Sequence, residues 1–179
     1  MHRNSLLSLL DSYSTQDIEE LKMVEETRKF IVANSDCFER SLLTGHVTAS
    51  GWIVSENKRE VLLMHHRKLD KWFQPGGHCD GDPNVLLVAK KEVEEETGVK
   101  DPKLLSEGIF DVDIHLIPAN AKDPAHDHYD IRFLFEADKN MGLVINMESK
   151  DVRWIPIQEI AKLNDSESIM RMVRKTIAL

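Results

Sequence analysis

The chain lacks the marks of several protein classes. It has two cysteines in 179 residues, Cys37 and Cys79, with no paired spacing. That excludes a disulfide framework and a zinc ribbon, and thiols in a reducing, cytoplasmic setting are the expectation. No apolar run is long enough to span a membrane. The opening MHRNSLLSLLDSYS has an apolar patch too short and too interrupted for a signal peptide. There is no internal repeat and no low-complexity tract. Positive charge is also scarce: 23 Lys and Arg against 31 Asp and Glu give a formal net charge of −8. That argues against a stable nucleic-acid partner, which needs clustered cations to displace counterions. A small phosphorylated ligand is not excluded, because a bound divalent cation supplies positive charge locally.

What remains suits one globular domain with an arm. Residues 1–40 read as helical. Ser14 and Asp17 have capping-box-like spacing, and Ile18, Leu21, Val24, Phe30 and Ile31 leave an apolar stripe. Ser35 to Glu39 is a break. His46–Ser55 and Glu60–His66 then form a β-rich pair around the turn Glu56-Asn57-Lys58. Gly76 to Pro83 is a loop rich in Gly and Asp, and Asn84–Thr97 is a helix closed by Gly98. Further strands are expected at Ile109–Ile117, Asp130–Ala137 and Asp151–Ile155, with 118–129 a polar loop. Pro156 opens a short helix and Glu167–Ile177 is the last one. Strands and helices mix without strict alternation, which predicts an α/β/α sandwich on a mixed sheet rather than a doubly wound parallel one.

The helix at 84–97 carries the chemistry. On a helical wheel Leu86, Ala89 and Val93 share a face that packs on a sheet. Glu92, Glu95 and Glu96 fall together beside it, and Glu94 points away. Like charges at this spacing cost roughly 0.2–0.5 kcal/mol per pair, and more at a core edge, where burial disfavours ionisation. A hard divalent cation removes the conflict. Asp82 suits an N-cap and Pro83 the first helical position, while Gly76-Gly77 lets bare backbone approach a ligand.

The segment from Gly77 to Val99 resembles the Nudix signature, G-x5-E-x7-R-E-U-x-E-E-x-G-U with U aliphatic. Gly77, Glu92, Val93, Glu95, Glu96, Gly98 and Val99 match at the right spacing. Trp72-Phe-Gln-Pro-Gly76 and Arg153-Trp154-Ile-Pro are also similar to that family, over roughly residues 41–165. Two positions depart: Pro83 replaces an early glutamate, for which Asp80 or Asp82 are candidate substitutes, and Lys91 replaces an arginine. The resemblance implies an N-terminal arm at 1–40, a Nudix domain at 41–179, and hydrolysis of a phosphoanhydride in a nucleoside diphosphate linked to another moiety. It implies Mg²⁺ or Mn²⁺ held by Glu92, Glu95, Glu96 and the Gly76 carbonyl. It also implies a general base from a later loop, for which Glu148 is the first choice and Asp151 the other. A non-enzymatic nucleotide-binding regulator is the alternative. An isopentenyl diphosphate isomerase-like enzyme, which needs an active-site cysteine, is a more distant one.

Several residues keep two readings. His126, His128 and Asp130 bind metal or phosphate, or are turn residues at a strand mouth. His65, His66, Arg67 and Lys68 steer phosphates, or form a charged hairpin end. Arg132 clamps a phosphate or pairs with a carboxylate. From these, Arg67, Lys68, His128 and Arg132 are taken as substrate-binding. Trp72, Phe73 and Phe133 read as core, and Cys79 as a bystander. The N-terminal helix covers a sheet edge or joins a homodimer.

Overall fold

β1 (Gly45–Ser55) is the strand around which the others gather, and every residue in it is buried. The computed structural model describes residues 2–179. Along one edge β1 pairs in parallel over its whole length with β7 (His126–Ala137). Along the other it meets β2 (Glu60–His66) and β4 (Gly76–His78), both antiparallel. β3 (Lys71–Phe73) and β8 (Ser149–Pro156) flank β2, and β5 (Lys103–Leu104) and β6 (Asp111–Ile117) flank β7. The sheet is therefore mixed, as expected. Two strands are longer than the sequence pattern indicated, β7 beginning at His126, inside the expected polar loop, and β8 at Ser149, while β6 begins two residues later than expected, at Asp111.

Alternation gives β1 two unlike faces. Val47, Ala49 and Ile53 join Ile131, Phe133 and Phe135 in one core, under α3 (Val85–Thr97) and the N-terminal helices. Gly51 is required here, because a Cβ on it would lie 2.3 Å from Val93 Cγ2 of α3. On the other face Trp52, Val54 and Leu134 pack with Met172 and Val173 of the last helix. Two short elements, a 3₁₀ turn at Ile157–Glu159 and α4 (Ile160–Leu163), lead to that last helix, α5 (Glu167–Ile177).

The arm folds as α1 (Asn4–Ser12) and α2 (Ile18–Ala33). Asp17 caps α2, its carboxylate accepting from Glu19 N and Glu20 N at 3.0 Å. The expected stripe holds for Val24, Ile31 and the partly buried Phe30, and fails in the first turn. Ile18 and Leu21 are exposed, while Glu20, Val24, Thr27 and Ile31 face inward. The reason is that α2 lies along the free edge of β6. Val112 N–H donates to Glu20 Oε1 at 3.0 Å and Ile114 N–H to Met23 Sδ at 3.3 Å. An open strand edge is thus covered by side-chain acceptors.

Candidate active site

α3 starts later than expected. Its cap is Asn84, whose Oδ1 accepts from Leu87 N at 3.2 Å, and its first helical residue is Val85. Asp82 instead accepts from Asn84 N at 2.8 Å, in the turn before the helix. Pro83 disfavours helical backbone at the residue it follows, so Asp82 stays outside. The C-terminus is as expected, with Gly98 left-handed at φ 76°. A Cβ there would also meet Val144 Cγ2 at 2.6 Å.

The glutamate face lies against β4. Glu96 is 7 % exposed, and its Oε2 accepts from Gly76 N at 2.9 Å. Gly77 faces Glu92 so closely that a Cβ would sit 2.6 Å from that carboxyl carbon. The two glycines have different jobs, since a Cβ on Gly76 would collide with Ser50 instead. Burial raises the Glu96 carboxyl to about 7 despite the Gly76 N–H; Glu92, Glu148 and Glu95 add to the rise. Glu92 is raised by burial, then by Glu95, against Lys91, with Glu148 and Asp80 adding to the rise. Glu95 is exposed, with Lys91 Nζ 3.6 Å from its Oε1. Glu94 turns away and accepts from Asp101 N at 3.3 Å.

The loop carrying Glu148 is tied down at both ends. Val144 N–H donates to Thr97 O, at the end of α3, at 2.8 Å. On the other side Arg67 donates from Nε to Met147 O and from Nη2 to Ser149 O, while its own N–H donates to Glu148 O. The Glu148 side chain is exposed, yet its charge reaches Glu92 and Glu96. Asp151 is engaged by Arg153 Nε at 2.8 Å.

Four carboxylates of this kind suit a hard cation. Glu96 and Glu92 are held where ionisation is opposed by burial and by each other, and divalent positive charge relieves both. The donor set is all oxygen, which favours Mg²⁺ or Mn²⁺ over softer ions. A model of the NUDIX domain matches residues 45–175. The chain belongs to the Nudix hydrolase family. It is 26 % identical over 126 residues to a phosphatase NudJ of Shigella boydii, a match covering 69 % of this chain and 76 % of that protein. It is 27 % identical over 119 residues to a CMP-5'-(N-acetyl-N-hydroxy-3-aminopropyl)phosphonate hydrolase of Streptomyces rubellomurinus. That match covers 62 % of this chain and 52 % of the relative, so the likeness spans about half of the latter. Among solved structures, a C. elegans Ap4A hydrolase superposes with TM-score 0.60 at 19 % identity, over 74 % of this chain and 95 % of that one. An E. coli dihydroneopterin triphosphate pyrophosphohydrolase gives 0.57 at 16 % identity, over 74 % and 96 %. At these identities the structures establish the fold.

The remaining candidates separate within this Nudix fold. Arg132, expected as a phosphate clamp, is 2 % exposed and bound up with aspartates. Its Nε donates to Asp130 at 2.8 Å, its Nη1 to Asp111 at 3.0 Å, and its Nη2 lies 3.1 Å from Asp113. The carboxylate-pairing reading is the one observed. Arg67 braces the Glu148 loop rather than facing solvent with its donors unused. Lys68 is exposed at the β2–β3 turn. His128 lies apart, beside His46 and His78, and burial, followed by neighbouring positive groups, lowers all three, His78 to about 4. Of the two candidate substitutes for the missing glutamate, Asp80 is gripped by Arg40 through both oxygens yet its charge reaches Glu92, and Asp82 accepts from Asn84 N. Cys79 is buried with its thiol pushed up by that burial, which leaves isomerase chemistry without its nucleophile. Trp72 and Phe133 are buried, as read from the sequence. The structural brace on Glu148 went unread, because Arg67 acts through backbone carbonyls that no side-chain pattern encodes.

Proposed function

We propose that the chain is a metal-dependent Nudix pyrophosphohydrolase, directing water at phosphorus in a nucleoside diphosphate joined to another moiety. The observation that carries this reading is the convergence of Glu92, Glu95, Glu96 and Glu148 at one place, from buried Glu96 out to exposed Glu95 and Glu148, with Glu96 raised to about 7. Glu92, Glu95, Glu96 and the Gly76 carbonyl are the residues to hold Mg²⁺ or Mn²⁺. When bound, such ions neutralise phosphate oxygens and acidify water. Glu148 is the general base: it is exposed, close to the other carboxylates and held by its backbone rather than by a salt bridge. Arg67 is a positioning residue for it. The carboxylates lie outside the buried Arg132 network, so the substrate reaches them from solvent. A cytoplasmic setting fits the unpaired, buried cysteines, and no described helix is long and apolar enough to cross a membrane. The hydrolase relatives named for a CMP-linked phosphonate and for phosphatase action support the class of substrate.

Turnover with Mg²⁺ across nucleotide sugars, ADP-ribose, dinucleoside polyphosphates and nucleoside triphosphates tests this. Glu95→Gln is expected to abolish most activity, and Glu94→Gln to leave it near wild type. Tight nucleotide binding with no product from any member of the panel would favour the regulator reading instead, for which the Pro83 and Lys91 departures are the sequence argument.

A further inference from the structure

At the end of the sheet where β1 and β7 begin, His46, His78, His115, His126 and His128 crowd together, five of the eight histidines in the chain. Strand register brings them there. His46 pairs across from His128, His128 across from His115, and Thr48 across from His78. Ring centroids lie 4.7 Å apart for His46 and His128, and 5.0 Å apart for both His46–His78 and His78–His128. The Nε2 atoms of His46 and His128 are 3.1 Å apart. One ring nitrogen from each of His46, His78 and His128 lies within 4.8 Å of the other two. In a tetrahedral site with bonds of about 2.0 Å, ligand nitrogens stand about 3.3 Å apart.

We propose that His46, His78 and His128 form a site for a borderline transition-metal ion of the zinc class, separate from the glutamate site. Imidazole nitrogen is the donor such ions take in preference to Mg²⁺. The outer contact of His46 agrees. For the ligand His46, Nδ1 lies 3.5 Å from Leu42 O; neighbouring His126 and His115, outside the ligand set, are held by Pro124 O and Asp113 Oδ2. Donation from Nδ1 to an oxygen leaves Nε2 with its lone pair, the arrangement that orients a ligating histidine. The three rings border a cavity of about 220 Å³, also lined by Arg40, Asp123 and His126, with room for a fourth ligand or water. Arg40 is occupied with Asp80 and does not supply an unpaired charge there. Separation from the glutamates follows from alternation. Gly77 faces Glu92, so His78, the next residue of β4, leaves on the opposite side of the strand.

The test uses the full chain stripped of metal, carrying Glu96→Gln to weaken the acidic site, and titrated with Co²⁺ and then Zn²⁺ in excess Mg²⁺. One equivalent of Co²⁺ is expected to give intense tetrahedral ligand-field bands that Zn²⁺ removes and Mg²⁺ does not. His78→Ala and His128→Ala, checked for folding by circular dichroism, are expected to lower Zn²⁺ affinity by at least about tenfold. Zinc X-ray absorption on the protein with its histidines intact covers the case of a variant that does not fold: backscatter from three imidazoles is expected. Absence of the bands, affinity unchanged in the folded histidine variants, or an oxygen-only zinc environment would each overturn the proposal. None of these results depends on hydrolysis, so the hydrolase reading stands or falls separately.

Discussion

Replacing Glu96 by glutamine should make the metal-free protein more stable at neutral pH while destroying its activity. Glu96 is buried, and its carboxyl is raised from an ordinary 4.5 to about 7. Between those values the folded protein keeps the proton that the unfolded chain has released. Wild-type stability therefore falls as pH rises through this window, and the whole cost is present above about pH 7. The span corresponds to roughly 3 kcal/mol. At this chain length that is a Tm difference of roughly 6–12 °C. A glutamine has no charge to desolvate, and its amide oxygen can still accept from Gly76 N–H, now at 2.9 Å. Thermal melts of chelator-treated wild type and Glu96→Gln, from pH 4.5 to 8, give the comparison. The curves should coincide near pH 4.5 and separate upward, with the variant more stable. Saturating Mg²⁺ at pH 8 should raise the wild-type Tm by mass action and leave the variant almost unmoved. Parallel pH profiles for the two proteins would refute the claim that Glu96 is held under electrostatic strain.

Three other outcomes follow from the contacts. Glu20 is fully buried and receives hydrogen bonds from Tyr13, Thr15, Val112 N and Lys175. Glu20→Ala should cost roughly 3–5 kcal/mol in urea unfolding by leaving Lys175 and the β6 edge short of an acceptor, whereas exposed Glu19→Gln should cost under about 0.5; equal midpoints would count against this anchor. Gly77→Ala places a methyl in the Glu92 carboxylate, and a displacement of that order should lower kcat roughly a hundredfold; steady-state kinetics near wild type would mean that Glu92 is free to move. Pro83→Glu supplies the carboxylate that the signature has at that position, so it should raise kcat, as should Lys91→Arg through a two-pronged hold on Glu95; unchanged kcat in both would show that neither departure limits the reaction.

The glutamate helix was legible because its requirements are local. Glycine spacing, a left-handed stop at Gly98 and three acids on one side of a helix can be read from one stretch of chain. The β7 histidines were legible as residues but not as a cluster: only the parallel pairing of His46 with His128 brings them together, and no local pattern fixes that register. The α2 face was misread for a related reason. Ile18 and Leu21 are hydrophobic, yet the surface that α2 covers is a strand edge, which demands hydrogen-bond acceptors more than apolar area, so Glu20 turns inward. Arg132 belongs to the same class. Its buried partners Asp111 and Asp113 come from β6 and compete successfully with any ligand for the guanidinium.

The buried charges also make closure of the sheet depend on α5. Asp111 and Asp113 accept from Arg171, and Asp111 and Glu20 from Lys175, and both cations sit in α5. Without α5 in place, the sheet has acids facing inward and lacks two of their three counter-charges, Arg132 being the third. Closing that sheet early would strand charge in a low-dielectric interior. The sheet is therefore expected to stay loosely closed until α5 docks and brings those cations in.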